Sequence, residues 1–199
     1  MKIEKFTYFY PEKPRLISIQ QPLFGLLNNK GEVIAEKKYN GIRLQLHCMP
    51  DGEFQFWNRH NTKLRYTPSE ELQESLQQLG CQGYNIFDGE LRHSKTKGVQ
   101  HKIVLFDVFV QEGVLLNNRP FWFRRGVLEG LNFINENLKP IKQYDDVDFL
   151  RLFNQVSKEK EIEGLVLKSK TGLLSLGRKA GTNSKWMWKV RKPSKNYRF

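Results

Sequence analysis

Apolar and polar residues alternate from Val33 to Arg59, and this alternation sets the first elements of the chain. Ile42, Leu44 and Leu46 fall on one side of an extended segment, Pro50-Asp51-Gly52-Glu53 supplies a turn, and Phe54 and Phe56 begin the return. The pattern predicts a β-hairpin with one buried face. Thr67-Pro68-Ser69-Glu70-Glu71 then combines a cap, a proline and early acids, and Leu72, Leu76 and Leu79 form an apolar stripe ending at Gly80. These are the signals of a helix. Ile86 to Leu91 and Lys102 to Val110 predict two further strands, the second a nearly continuous apolar run that belongs inside a sheet. Val127, Leu128, Leu131 and Ile134 recur at helical spacing, as do Phe149, Leu152, Phe153 and Val156 after the cap-like Asp145-Asp146. Gly164 to Lys168 and Lys185 to Arg191 read as closing strands. Strands interspersed with a few helices, beginning with a hairpin, predict an α+β fold of antiparallel sheets with packed helices rather than repeated βαβ units. There is no internal repeat and no low-complexity tract.

Composition narrows the class of partner. The 199 residues fit one domain or at most two small ones, and 39% hydrophobic residues suffice for a core. Against 21 Asp plus Glu stand 33 Lys plus Arg, a formal charge of +12, which favours a polyanion as partner. The basic residues are densest after Glu163, at Lys168, Lys170, Arg178, Lys179, Lys185, Lys189, Arg191, Lys192, Lys195 and Arg198. They alternate with apolar residues at strand period and form no long amphipathic helix, so a nucleic acid is favoured over a membrane surface. The two cysteines, Cys48 and Cys81, are too few for a disulfide framework and lack metal-ligand spacing. His47, His60, His93 and His101 are scattered, and each reads as structural or surface. No apolar run has the length of a membrane span, and the start Met-Lys-Ile-Glu-Lys-Phe-Thr lacks a signal-peptide core. The expectation is a soluble, cytoplasmic protein, associated with a nucleoid or nucleus if it acts on DNA.

The run Glu36-Lys37-Lys38-Tyr39-Asn40-Gly41-Ile42-Arg43 puts a lysine at a strand end, before a glycine turn and an arginine. That layout suits a lysine that attacks phosphorus. An unperturbed lysine has a pKa near ~10.4, so only about one in a thousand is neutral at pH 7.5. Nearby cations favour the neutral amine, and the candidates are Lys37, Lys189, Arg191 and a bound metal. Lys189 and Arg191, two apart on a strand, project from the same face.

Taken in order, Lys38-Tyr39-Asn40-Gly41, Phe87-Asp88-Gly89-Glu90-Leu91, Val104-Leu105-Phe106-Asp107, Glu163-Gly164-Leu165-Val166-Leu167-Lys168 and Lys185-Trp186-Met187-Trp188-Lys189-Val190-Arg191 resemble the nucleotidyltransferase domain of the covalent-lysine superfamily. The likeness is greatest to the ATP-dependent polynucleotide ligases and covers Val33 to Lys192. It implies a ligase-adenylation-domain fold, ATP-grasp-like, with a nucleotide-binding cleft between the sheets. Residues 1–32 would be a lead-in to the same domain, 33–192 the adenylation domain and 193–199 a basic tail. Relatives of this kind normally continue into an OB-fold domain that this sequence lacks, so the resemblance implies a fragment, a minimal enzyme or an enzyme to which another protein supplies that function.

The resemblance also implies roles. Lys38 takes the position of the lysine that forms lysyl-AMP, with Lys189 and Arg191 on the α-phosphate. Glu36, Arg43, Glu90, Phe106 and Lys168 bind the nucleotide, Glu90 at the ribose and Lys168 near the phosphates. Phe106 matches the aromatic that stacks on the purine, and among its apolar neighbours it fits a core position equally. Glu163 and Glu90 hold Mg²⁺, while Arg43 and Arg59 grip the polynucleotide. Two positions depart from the commonest pattern. Asn40 stands where DNA ligases usually have aspartate, and Arg191 where the family usually has a second lysine, a change that keeps charge but not geometry.

The function implied is that of a monomeric DNA ligase adenylation domain, which uses ATP, passes AMP to the 5′-phosphate at a nick and lets the 3′-hydroxyl displace it. An RNA ligase is the alternative, favoured by Asn40 and the missing OB domain. A non-catalytic nucleic-acid-binding module of the same fold is the third. A capping guanylyltransferase is disfavoured by Glu163-Gly164 in place of Asp-Gly. An NAD⁺-dependent enzyme is disfavoured because the residues before Lys38 lack the helical pattern of a nicotinamide-reading domain.

Overall fold

A computed structural model describes residues 2–28, 31–176 and 181–193. Arg178, Lys179, Lys195 and Arg198, counted above in the basic C-terminal region, lie outside the described residues. The chain forms two compact units.

One unit comprises Lys13–Asn40, Lys142–Gly172 and Asn183–Phe199. Its strands are β1 (Lys13–Leu16), β2 (Val33–Tyr39), β9 (Gln143–Tyr144), β10 (Ile162–Ser169) and β11 (Asn183–Arg191), and they form a sheet in the order β1-β11-β10-β2-β9. β1 joins in parallel and the other pairings are antiparallel. Residues directly opposite across a ladder share a face, so the register sorts this sheet into two sides. Val33, Ala35, Leu165, Leu167 and Val190 share one, where they pack with Phe24 and Leu27 of α1 (Pro22–Leu27) and with Phe149, Leu152, Phe153 and Val156 of α4 (Phe149–Val156). Ile34, Glu36, Lys38, Gly164, Val166, Lys168, Met187, Lys189 and Arg191 share the other. The period-2 alternation therefore separates a core face from a charged one. Helix α4 begins at Asp148, whose carboxylate accepts from Leu150 N and Arg151 N at 2.8 and 3.0 Å, and not at Asp145-Asp146 as expected. Asp146 has φ +52°, a turn conformation, whereas Asp148 is extended, as an N-cap requires.

The second unit comprises Met1–Glu12, Gly41–Ile141 and Leu173–Thr182. The expected hairpin is β3 (Ile42–Cys48) and β4 (Phe54–Asn58), and β5 (Asn85–Arg92), β6 (Lys102–Gln111), β7 (Val114–Leu115) and β8 (Leu138–Pro140) complete a six-stranded sheet. Its order is β4-β3-β5-β6-β7, with β8 pairing to β6 in parallel. Leu44, Leu46, Cys48, Phe56, Phe87, Leu91, Ile103, Leu105 and Val108 form the buried face against α2 (Glu70–Gln77) and α3 (Phe121–Glu129). Ser69 caps α2 by accepting from Leu72 N. Helix α3 starts earlier than the Val127 to Ile134 spacing suggested and stops at Gly130, leaving Leu131 and Ile134 beyond it. Pro120 fixes its start, and Leu131 packs on the core from outside the helix while Ile134 is exposed. The nine N-terminal residues from Ile3 to Pro11 run over the opposite face, where Phe6 contacts His47 and Trp57, Phe9 O accepts from Gln45, and Ile3 and Phe9 pack on the buried Tyr84, Ile86, Phe109 and Val110. Among the described residues no helix is long and apolar enough to cross a membrane.

Candidate active site

The charged face of the β1-β11-β10-β2-β9 sheet carries six of the residues singled out above. Lys38, Gly164 and Arg191 form one row across β2, β10 and β11. Ile162 pairs with Tyr39 and Gly164 with Lys38, which leaves Glu163 as the extra residue of a β-bulge. A bulge re-aims the side chain it carries, and the Glu163 carboxylate turns to Lys38, whose Nζ donates to Oε2 at 2.5 Å. Arg191 Nη2 stands 3.5 Å from the same oxygen. Glycine is obligatory beside it: Gly164 has φ +146°, and a Cβ there would lie 1.9 Å from Val190 O.

The next row places Glu36 and Lys189 on either side of Val166. Glu36 accepts from Lys168 Nζ at 2.8 Å and from Gln143 Nε2 at 3.2 Å, and both members of the ion pair are buried. Lys37 belongs to the other face, where its Nζ donates to both oxygens of Glu159 at 2.7 Å. Burial works against the Lys37 charge, but the Glu159 contact outweighs it and holds its pKa above the ordinary lysine value. Adjacent lysines are thereby given different surroundings, and Lys37 is committed as a cation.

The second unit holds the remaining candidates. Arg43 grips Asp88 with a two-pronged fork, Nε to Oδ1 at 3.0 Å and Nη2 to Oδ2 at 2.5 Å, while Nη1 donates to Glu12 O at 2.6 Å. Burial opposes the guanidinium charge, yet Asp88 and Glu90 raise its pKa overall. Glu90 lies directly opposite Arg43 on the ladder. Gly41 is the small residue this spacing needs, since a Cβ would come within 2.6 Å of Leu91 O and 2.7 Å of Glu90 Cγ. Gly89 pairs with Leu105 and Asp88 with Asp107, so Phe106 is again the extra residue of a bulge. It is half-buried between fully buried neighbours, and the Arg43 guanidinium stands 5.6 Å from its ring centroid. Arg59 occupies an exposed turn, its Nε 3.0 Å from His60 Nε2.

Two residues escaped the reading of the sequence. Asp88 sits within the quoted Phe-Asp-Gly-Glu-Leu, but its role as the anchor of Arg43 depends on pairing across strands. Tyr8 donates to Asn58 O at 2.7 Å. Its pKa rises to about 12, chiefly through burial and with a contribution from Asp88. Nothing in a scattered Tyr-Phe-Tyr run signals that placement. Among the described residues no cluster of three or more His, Cys, Asp or Glu has the arrangement of a metal site.

No family model matches the chain. A DNA ligase of Methanothermobacter thermautotrophicus is 26% identical over 144 residues, covering 61% of this chain and 25% of that protein. DNA ligase 3 of Dictyostelium discoideum is 28% identical over 185 residues, covering 79% and 16%. The chain thus spans about a quarter or less of these curated relatives. Among solved structures, a Lig E DNA ligase described as binding DNA with a minimal scaffold superposes with a TM-score of 0.61 at 15% identity, over 94% of this chain and 70% of that one. The ATP-dependent DNA ligase of bacteriophage T7, in complex with ATP, gives 0.60 at 19% identity, over 92% and 68%. The chain has the adenylation-domain fold of the ATP-dependent polynucleotide ligases. That fold extends to RNA ligases: an archaeal ATP-dependent RNA ligase gives 0.55 at 14% identity, over 92% of this chain and 48% of that one. In an adenylation-domain fold the bulged Glu163 and Phe106 are side chains turned out of regular pleat, a device common beside active sites.

Proposed function

We propose that residues 33–192 form the adenylation domain of an ATP-dependent DNA ligase, with Lys38 as the nucleophile. The supporting observation is the 2.5 Å contact of Lys38 Nζ with Glu163, on a sheet face that also carries Arg191, Lys189 and the buried Glu36–Lys168 pair. An amine that attacks phosphorus needs its lone pair, so the Lys38–Glu163 contact must give way for reaction. Once Nζ has given its ammonium proton to solvent it bonds to the α-phosphorus of ATP, the bond to the bridging oxygen breaks, pyrophosphate leaves with that electron pair, and the new phosphoramidate nitrogen releases a second proton to solvent. Arg191 and Lys189 meet the charge that develops on the α-phosphoryl oxygens. Lys37, turned away and bound to Glu159, takes no direct part.

Arg43 has its fork filled by Asp88 and presents its face to Phe106. Its part in this reading is to brace Phe106 for stacking on adenine, while Glu90 accepts from ribose hydroxyls. Glu163 is a hard oxygen donor, and a single carboxylate with nucleotide phosphates and water suits Mg²⁺. Glu163 is the carboxylate that would hold the ion. When bound, Mg²⁺ would neutralise phosphate charge. The +12 chain supplies attraction for the polynucleotide, with Arg59 exposed to meet it.

Incubation with α-labelled ATP and magnesium, followed by denaturing electrophoresis, tests the reading: a covalent adenylate is expected, and its absence refutes it. An RNA ligase is the second reading, favoured by Asn40 in the Lys38-Tyr39-Asn40-Gly41 turn. Sealing of nicked DNA against nicked RNA separates the two.

A further inference from the structure

Strand β6 lacks the alternation that sets a register elsewhere in the sheet. Between Lys102 and Gln111 it reads Ile-Val-Leu-Phe-Asp-Val-Phe-Val, apolar except for Asp107, and every one of these residues but Phe106 is buried. Its pairing with β5 is broken twice. Ile86 pairs with Val110 and Phe87 with Val108, so Phe109 is an extra residue just as Phe106 is. Phe109 is buried and Phe106 half-exposed to solvent on its bulge. Hydrophobicity does not distinguish this arrangement from a regular ladder in which Phe106 lies opposite Asp88, because such a strand would be equally apolar.

Asp107, between the two bulges, is held from outside the sheet. Arg124 of α3 grips it with a fork, Nε to Oδ1 at 2.7 Å and Nη2 to Oδ2 at 2.9 Å, and both residues are buried. The same Oδ1 accepts from Val108 N at 2.8 Å, and Arg124 Nη1 donates to Arg119 O at 2.6 Å. Asp88 stands directly opposite Asp107, and like charges so placed repel. Each therefore has its own arginine, Arg43 on Asp88 and Arg124 on Asp107. A buried ion pair adds little stability over apolar residues of the same volume, whereas breaking one is strongly unfavourable. Its effect is therefore to select a register, since any slip of β6 draws Asp107 away from Arg124 and leaves both charges buried and apart. We propose that Arg124 is a positioning residue for the nucleotide: by holding Asp107 it fixes the register of β6, and so determines that Phe106 is the side chain turned out of the sheet. The consequence for ATP rests on the stacking role proposed for Phe106; the consequence for register does not.

Two variants of the full-length chain provide the test. Asp107→Val with Arg124→Met removes the fork without leaving a buried charge, and Arg124→Lys keeps the cation but not the second arm. Cross-strand nuclear Overhauser contacts in isotope-labelled protein report the register. The parent and Arg124→Lys should show Gly89 opposite Leu105 and Asp88 opposite position 107. The double variant should stay folded by circular dichroism, melt near the parent, and show Asp88 opposite Phe106 in part of the molecules. Its ATP affinity by isothermal titration should fall by at least about two-fold, the factor for two equally populated registers, and by no more than the loss in Phe106→Ala. Arg124→Lys should do the reverse, melting lower while binding ATP as the parent does. Phe106→Ala combined with the double replacement should bind ATP no more weakly than Phe106→Ala alone. A double variant that keeps only the parent register, a double variant that fails to fold, or ATP affinity that follows melting temperature across the variants would each overturn the proposal. If Phe106→Ala by itself leaves ATP binding unchanged, the stacking role is refuted, and the cross-strand contacts alone decide whether Arg124 sets the register.

Discussion

Lys38 and Glu163, 125 positions apart in sequence, meet at 2.5 Å because a bulge in β10 swings the carboxylate onto the strand that carries the lysine. The neighbouring Lys37 pairs with both oxygens of Glu159 at 2.7 Å on the opposite face. Two consecutive lysines therefore differ in what they can do, and the difference follows from the pleat.

Lys38→Ala is expected to abolish covalent labelling by α-labelled ATP, whereas Lys37→Ala weakens it without removing it. Labelling retained in the Lys38 variant would exclude this residue as the nucleophile. Both pairs are partly open to solvent, so neither substitution should cost more than about 1 kcal/mol of stability, which urea unfolding checks.

The Glu36–Lys168 pair behaves differently because both side chains are at most 3% exposed. Lys168→Met leaves a buried carboxylate without its cation, and a loss of about 3–5 kcal/mol is expected. Replacing both, as Glu36→Gln with Lys168→Met, should recover much of it. If the single variant unfolds no more easily than the parent, the pair is not a structural element.

Phe106→Ala should weaken ATP binding by about 1–3 kcal/mol, the range of base–aromatic stacking, with little change in unfolding. Its half-buried place on a bulge supports that division between binding and stability. Isothermal titration and thermal melts measure the two separately, and a variant that loses its fold would assign Phe106 to the core.

His47 is fully buried, and burial lowers its pKa to about 3. Its folded pKa lies below the unfolded value of ~6.5, so above that pH it is neutral in both states and contributes no pH dependence. Below it the unfolded chain takes up a proton that the folded chain refuses. Stability should fall by about 1.4 kcal/mol per pH unit from there until pH ~3. Urea midpoints at pH 7.5, 5.5 and 4.5 should show a shallower acid slope in His47→Gln than in the parent; parallel slopes would place the acid sensitivity elsewhere.

Gly164→Ala brings a Cβ against Val190 O in a backbone conformation that glycine alone adopts readily. The expected result is a destabilised β10–β11 pairing, with faster amide exchange at Leu165 and Val190 than elsewhere in the sheet. Unchanged exchange would show that the strands part without cost.

The linear order of residues determined much of this protein. Alternation between Ile42 and Phe56 fixed the hairpin and its buried face, since side chains on a strand have period two, and Ser69-Glu70-Glu71 fixed the start of a helix through local capping. Lys38, Glu163 and Arg191 were marked as candidates by the resemblance of five ordered motifs to those of the polynucleotide ligases. What periodicity cannot carry is a break in itself. The bulges at Glu163 and Phe106 are extra residues that exist only relative to a partner strand, and they decide which way those two side chains turn. Pairing likewise decided that Asp88 anchors Arg43 and that Glu36 and Lys168 neutralise one another. Each of these is a contact between residues distant in sequence, so its energy depends on the register of strands and the packing of loops, and neither is written in any single segment.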